Sequence, residues 1–143
     1  MKITKALKQK NKIVAELKML RERIEEYNSV FTGNPRPYDV AETQEQLMAK
    51  VQELVSLKTR LAQANTVIYS KIFELSELKG LAQFYKHLDI KDGLSKDHSY
   101  DEMLQGYESV LKVKQRDDLV IELETRIEAL QDELDEFNIL TEI

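Results

Sequence analysis

The sequence predicts an all-α protein: an antiparallel hairpin of long helices, of coiled-coil bundle type, followed by a C-terminal helix. Three observations carry this expectation. Apolar residues recur in alternating steps of three and four over long stretches, the mark of a helical seam. Turn formers are scarce, with 4 Gly and 2 Pro in 143 residues. Charged residues make up 33% of the chain against 42% apolar, a balance that suits helices with one apolar stripe and a charged remainder. A β-sandwich or barrel needs a turn signal every few residues and is excluded.

The first element is a helix over 3–31. Ile3, Ala6, Lys10, Ile13, Leu17, Leu20, Ile24, Tyr27 and Phe31 form a heptad seam with eight of nine positions apolar. At 1.5 Å per residue it would span ~44 Å. Gly33, Pro35 and Pro37 end it and make 32–39 a loop, since proline cannot continue a helix and glycine suits a left-handed cap.

Asp39 restarts the helix as an N-cap, with Glu42 at capping-box spacing. The stripe then runs through Leu47, Val51, Leu54, Leu57, Leu61, Ala64, Ile68, Ile72, Leu75, Leu78, Ala82 and Tyr85, so one helix is expected over 40–87. Its weak point is 65–70, Asn-Thr-Val-Ile-Tyr-Ser, where Asn and β-branched residues lower helix propensity and a kink or short break is expected.

Residues 88–115 lose the period and read as irregular. Asp92-Gly93 is a turn signal, and Ser99 with Glu102 is a cap for a short helix over Tyr100–Gln105. Tyr107, Ser109, Leu111 and Val113 alternate with mostly polar neighbours, which makes 107–113 a short strand, with helix as the alternative. The last helix is expected over 116–138, on a seam of Val120, Leu123, Ile127, Leu130, Leu134 and Phe137. An apolar tail, 139–143, follows and needs something to pack against. The whole chain is read as one helical domain.

Charge is graded along this frame. Residues 1–23 hold eight basic and two acidic residues, a net of +6, while 117–143 hold one basic and ten acidic, a net of −9. Opposite ends attract, within or between chains, although surface pairs are worth only ~0–1 kcal/mol each. Lys2, Lys5, Lys8 and Lys12 line one face of the first helix. They suggest either an anionic-surface binder, for membrane or nucleic acid, or the commoner case of lysines flanking a seam.

Little of the sequence speaks of chemistry. There is no Cys, which excludes a disulfide scaffold and a thiolate metal site. His87 and His98, with Asp89, Asp97 and Asp101, are the only cluster of ligand-type side chains. A metal-dependent enzyme built on this loop is the functional reading. Its spacing fits neither a helical HxxxH pair nor an EF-hand, so a polar surface loop is preferred. Ser95 and Ser99 flank His98, but adjacency in sequence is not triad geometry. The four glycines are isolated, so no phosphate loop exists. Catalytic, metal and cofactor residues are therefore expected to be none.

The opening Met1-Lys2 with Ala6-Leu7, the central Ala64-Asn65-Thr66, the Thr125-Arg126-Ile127 turn and the ending Asn138-Ile139-Leu140-Thr141-Glu142-Ile143 resemble the pattern of the septicolysin-like family of small bacterial proteins. The family tends to carry Trp after the terminal Asn, where this chain has Ile139. The resemblance implies a helical, oligomeric architecture rather than an activity.

The expected function is that of a non-enzymatic, self-associating helical scaffold. Its oligomer or core seam comprises Ile13, Leu17, Leu20, Ile24, Leu54, Leu61, Ile68, Ile72, Leu75, Leu123, Ile127, Leu130, Leu134 and Phe137. A homo-oligomer is expected because the long stripe exceeds what either shorter helix covers. No apolar run reaches the ~20 residues of a membrane span, no base-reading set is present, and a cytoplasmic location is expected.

Overall fold

A computed structural model describes residues 1–96 and 104–143. The protein is all-α, with helices α1 (Ile3–Tyr27), α2 (Val40–Asn65), α3 (Tyr69–Lys86) and α4 (Val113–Leu140), and a small antiparallel pair, β1 (Gly93–Lys96) and β2 (Leu104–Tyr107). The chain divides into two compact units. The first unites Met1–Ile68 with Asp135–Ile143, and the second is Tyr69–Leu134. Among the described residues, no helix is long and apolar enough to cross a membrane.

In the first unit α1 and α2 form an antiparallel hairpin. Ile3, Ala6, Ile13 and Leu17 of α1 bury against Leu57 and Leu61 of α2, and Leu7, Leu47, Val51, Leu54, Phe137 and Ile143 pack around them. Each fully buried Leu or Ile contributes ~1.5–3 kcal/mol relative to exposure. Pairing continues at the rim, where Gln9 Nε2 donates to Glu53 at 3.2 Å and Lys50 Nζ lies 2.9 Å from Glu16.

α1 stops at Tyr27, four residues before the seam does. Arg36 explains the stop: its Nε donates to the Tyr27 carbonyl at 2.8 Å and its Nη2 to that of Asn28 at 3.3 Å. Helix-end carbonyls need such donors. Phe31 is consequently in the loop and 85% exposed. Gly33 takes φ +89°, a left-handed turn conformation. α2 opens on Asp39, whose Oδ1 accepts the Glu42 amide at 3.2 Å. The buried Thr43 returns its hydroxyl to the Asp39 carbonyl at 2.7 Å.

The helix expected over 40–87 is two helices. Residues 66–68 form a turn inside the β-branched stretch, with the Ile68 amide donating to the Asn65 carbonyl at 3.0 Å.

The second unit pairs α3 antiparallel with α4 over about residues 124–133. Leu75, Ala82, Leu130 and Leu134 are buried, Leu130 completely. Ion pairs follow the rim: Lys71 with Glu133, Lys86 with Glu124, and Arg126 with both oxygens of Glu74 at 2.9 and 3.1 Å.

The strand expected over 107–113 is corrected. Only Tyr107 of that range belongs to β2, which pairs Gly93 with Tyr107 and Lys96 with Leu104. Val113 is already helical, because the Gln115 side chain accepts the Lys112 amide at 3.0 Å and starts α4 three residues earlier than 116. Of the short helix expected over Tyr100–Gln105, Leu104 and Gln105 are strand, while Ser99, Tyr100 and Glu102 lie outside the described residues. α4 also runs past 138, taking Ile139 and Leu140 out of the expected tail.

Candidate functional site

The seam residues are placed in the interiors of the two units. Ile13, Leu17, Leu20, Leu61 and Ile68 are buried in the first, with Ile24, Leu54 and Phe137 half-buried. Leu75, Leu130 and Leu134 are buried in the second, with Ile72, Leu123 and Ile127 half-buried. A short loop holds the α1 and α2 seams at high local concentration, so each covers the other before another chain can.

The apolar side chains left outside are different ones, and periodicity alone passed over them. On α3, Phe73 is 62% and Phe84 58% exposed, on the face opposite Leu75 and Ala82. Phe73 stacks on Tyr69 with centroids 5.7 Å apart, which makes a flat aromatic surface. On α2, Met48 and Val55 are 57% and 55% exposed, on the face opposite Leu57 and Leu61. The available signal was that each sits off the seam of its own helix at i, i+7 or i, i+11.

One groove of about 370 Å³ opens between α1 and α2, among Met19, Leu20, Arg23, Gln46, Ala49 and Lys50. Beside it Lys50 bridges Glu16 and Glu53, each at 2.9 Å. The hydrogen bond from Lys50 lowers the Glu53 pKa, and Gln9 adds to the effect, while Glu53 and Glu16 together raise that of Lys50. All these charges are partnered within the hairpin and brace α1 against α2.

The lysine face of α1 is partly spent. Lys2 Nζ donates to the Leu140 carbonyl at 2.7 Å and pairs with Glu142 at 3.2 Å, and Lys12 lies 4.0 Å from Glu16. Of the candidate metal loop, Asp97, His98 and Asp101 lie outside the described residues. His87 is exposed just after α3, and Asp89 pairs with Lys91 at 3.3 Å. No group of three His, Asp or Glu side chains positioned for a metal occurs among the described residues.

Among the described residues, the carboxylate with the lowest pKa is Asp92, which the sequence offered only as part of a turn signal. Asp92 accepts the Ser109 hydroxyl at 2.6 Å, the Ser109 amide at 2.9 Å and Lys112 Nζ at 3.0 Å. These donors hold its pKa down at about 2. They clamp the base of the β1–β2 pair, with Gly93 at φ +92° turning the chain into β1.

No family model matches the chain, and no curated protein and no solved structure is detectably similar to it.

Proposed function

We propose that the protein is a non-enzymatic, self-associating helical scaffold of coiled-coil type, working in the cytoplasm as a homo-oligomer. The observation that carries this reading is the set of large apolar side chains left exposed on the outer faces of α2 and α3, Met48, Val55, Phe73 and Phe84, after both seams have been used internally. Isolated exposed apolar residues are ordinary, but aligned ones on a helix face mark contact surfaces. The ionic groups around the seams supply rim pairs rather than a reaction centre. The resemblance of the chain ends to the septicolysin-like family points in the same direction, toward an oligomer.

Light scattering at micromolar concentration tests the reading, at about 0.1 M and about 1 M salt. A mass above 16.7 kDa that persists at high salt is expected, because apolar burial is little screened. A monomer mass in both conditions defeats it. Binding to anionic vesicles or DNA that disappears at high salt would instead favour the lysine face as an anionic-surface binder. Stoichiometric metal lost on His98→Ala would favour the enzyme reading.

A further inference from the structure

The outer face of α2 carries a second stripe that its own hairpin does not use. Met48, Gln52, Val55, Thr59 and Ala62 follow one another at steps of four and three, and all are exposed. None of the five is charged, in a chain that is 33% charged, and one further step of three toward the N-terminus brings Glu45, which closes the stripe at that end. The stripe is also cheap to dry: Thr59 Oγ1 already donates to the Val55 carbonyl at 2.9 Å, and Thr66 Oγ1 to that of Ala62 at 3.3 Å. A hydroxyl satisfied within its own helix loses little when water leaves. The outer face of α3 has larger side chains, but Glu77 lies between Phe73 and Phe84 on the same turn sequence and would be buried with them.

The charges beside the α2 stripe have a polarity. By helical geometry Glu45 closes the stripe at its N-terminal end while Glu42 and Arg60 flank it on one edge, the acids in the N-terminal half and Arg60 in the C-terminal half, with Gln52 between. None of the three has an ion pair among the described residues. A parallel pairing of two such helices would set acid against acid and base against base. An antiparallel, two-fold pairing centred near Gln52 sets Glu45 of one copy opposite Arg60 of the other, twice, and places Met48 and Val55 in the shared layer.

We propose that the Glu45–Arg60 face of α2, with Met48, Gln52 and Val55 at its centre, is the self-association surface, and that its occupant is the same face of a second copy of this chain, docked antiparallel. This rests on the self-association reading above and names the surface that performs it. The contact is isologous, so it closes as a pair and each substitution is felt twice. Apolar burial supplies the affinity and the Glu45–Arg60 pairs supply the orientation.

The experiment uses the full chain and combines mass measurement with cross-linking. Val55→Lys should raise the dimer dissociation constant about tenfold or more, with the helical circular dichroism unchanged because Val55 is exposed. Glu45→Arg and Arg60→Glu should each weaken the dimer, and the double exchange should restore it. The chain has no cysteine. Gln52→Cys, beside the two-fold axis, should therefore give a covalent dimer on mild oxidation, whereas Asn11→Cys on α1 should not. A wild-type oligomer indifferent to Val55→Lys, with no Gln52→Cys cross-link, overturns this surface while leaving self-association standing. Failure of the double exchange to restore pairing overturns the antiparallel arrangement. A wild-type monomer removes both the surface and the reading beneath it.

Discussion

Lys2 and Glu142 form an antiparallel β-bridge that ties the two ends of the chain together, with Lys2 Nζ 3.2 Å from the Glu142 carboxylate. Around it the Ile3 amide donates to the Thr141 carbonyl at 3.1 Å and the Ile143 amide to that of Met1 at 2.9 Å. The first of these bonds stands in for a side-chain N-cap, which Lys2 does not supply. The basic and acidic ends of the sequence thus meet through backbone bonds as much as through charge.

Removal of residues 139–143 should therefore loosen the start of α1. The deletion frees the Ile3 amide and uncovers Ile143's share of the core around Ile3 and Ala6. Thermal melting should show a clear drop in Tm. Glu142→Gln should change Tm little, because both partners of that ion pair are largely solvated. Equal effects of the two changes would contradict the backbone argument.

Core truncations should separate buried seam positions from the one that left the helix. Leu17→Ala and Leu130→Ala each remove a buried side chain and should cost ~2–5 kcal/mol. Phe31→Ala should be close to neutral, since the ring is solvated in the loop. Urea titrations of the three variants provide the check.

Two glycines should respond in opposite directions. Gly80 sits within α3 with nothing inside 4 Å of the position its Cβ would take, so Gly80→Ala should stabilise by ~0.5–1 kcal/mol. Gly33 holds φ +89°, so Gly33→Ala should destabilise by about 1 kcal/mol despite open space around it. Melting curves of both variants decide the point.

Acid should open the base of the β1–β2 pair. The folded pKa of Asp92 lies near 2 against an ordinary 3.8. A depressed carboxylate contributes stability that is fully present above its ordinary value and lost as pH falls through its folded one. The protection of the Ser109 amide, referred to its intrinsic exchange rate at each pH, should therefore be constant above pH ~4 and fall toward pH ~2. Asp92→Asn should flatten that dependence. A variant that keeps the wild-type pH dependence would show that the clamp does not act through the Asp92 carboxylate.

The all-α class and the seams were legible because one apolar residue every three or four positions has a single cheap solution, a helix with one dry side. The Asp39 cap was legible for a similarly local reason: a carboxylate that precedes a helical run accepts an amide three residues on. The end of α1 was not. Asn28, Ser29 and Val30 only weaken a helix; Arg36, from beyond the turn, takes the carbonyls of Tyr27 and Asn28. The strand expected over 107–113 failed because alternation over so few residues is also what a loop entering a helix shows, and the Lys112–Gln115 bond chose the helix. The outward stripe on α2 was hidden in plain sight, since Met48 and Val55 mean little until Leu57 and Leu61 are known to face α1.

By itself the sequence determined that the chain is mainly helical, which face of each long helical run is apolar and where charge accumulates, because these follow from spacing along one chain. The tertiary structure decided which dry faces meet, that the chain divides into two units, and that Lys2 meets Glu142. A periodic pattern records that a face requires a partner but not which one. That choice rests on loop reach and on the fit of side chains far apart in sequence, which exist only once the chain has folded.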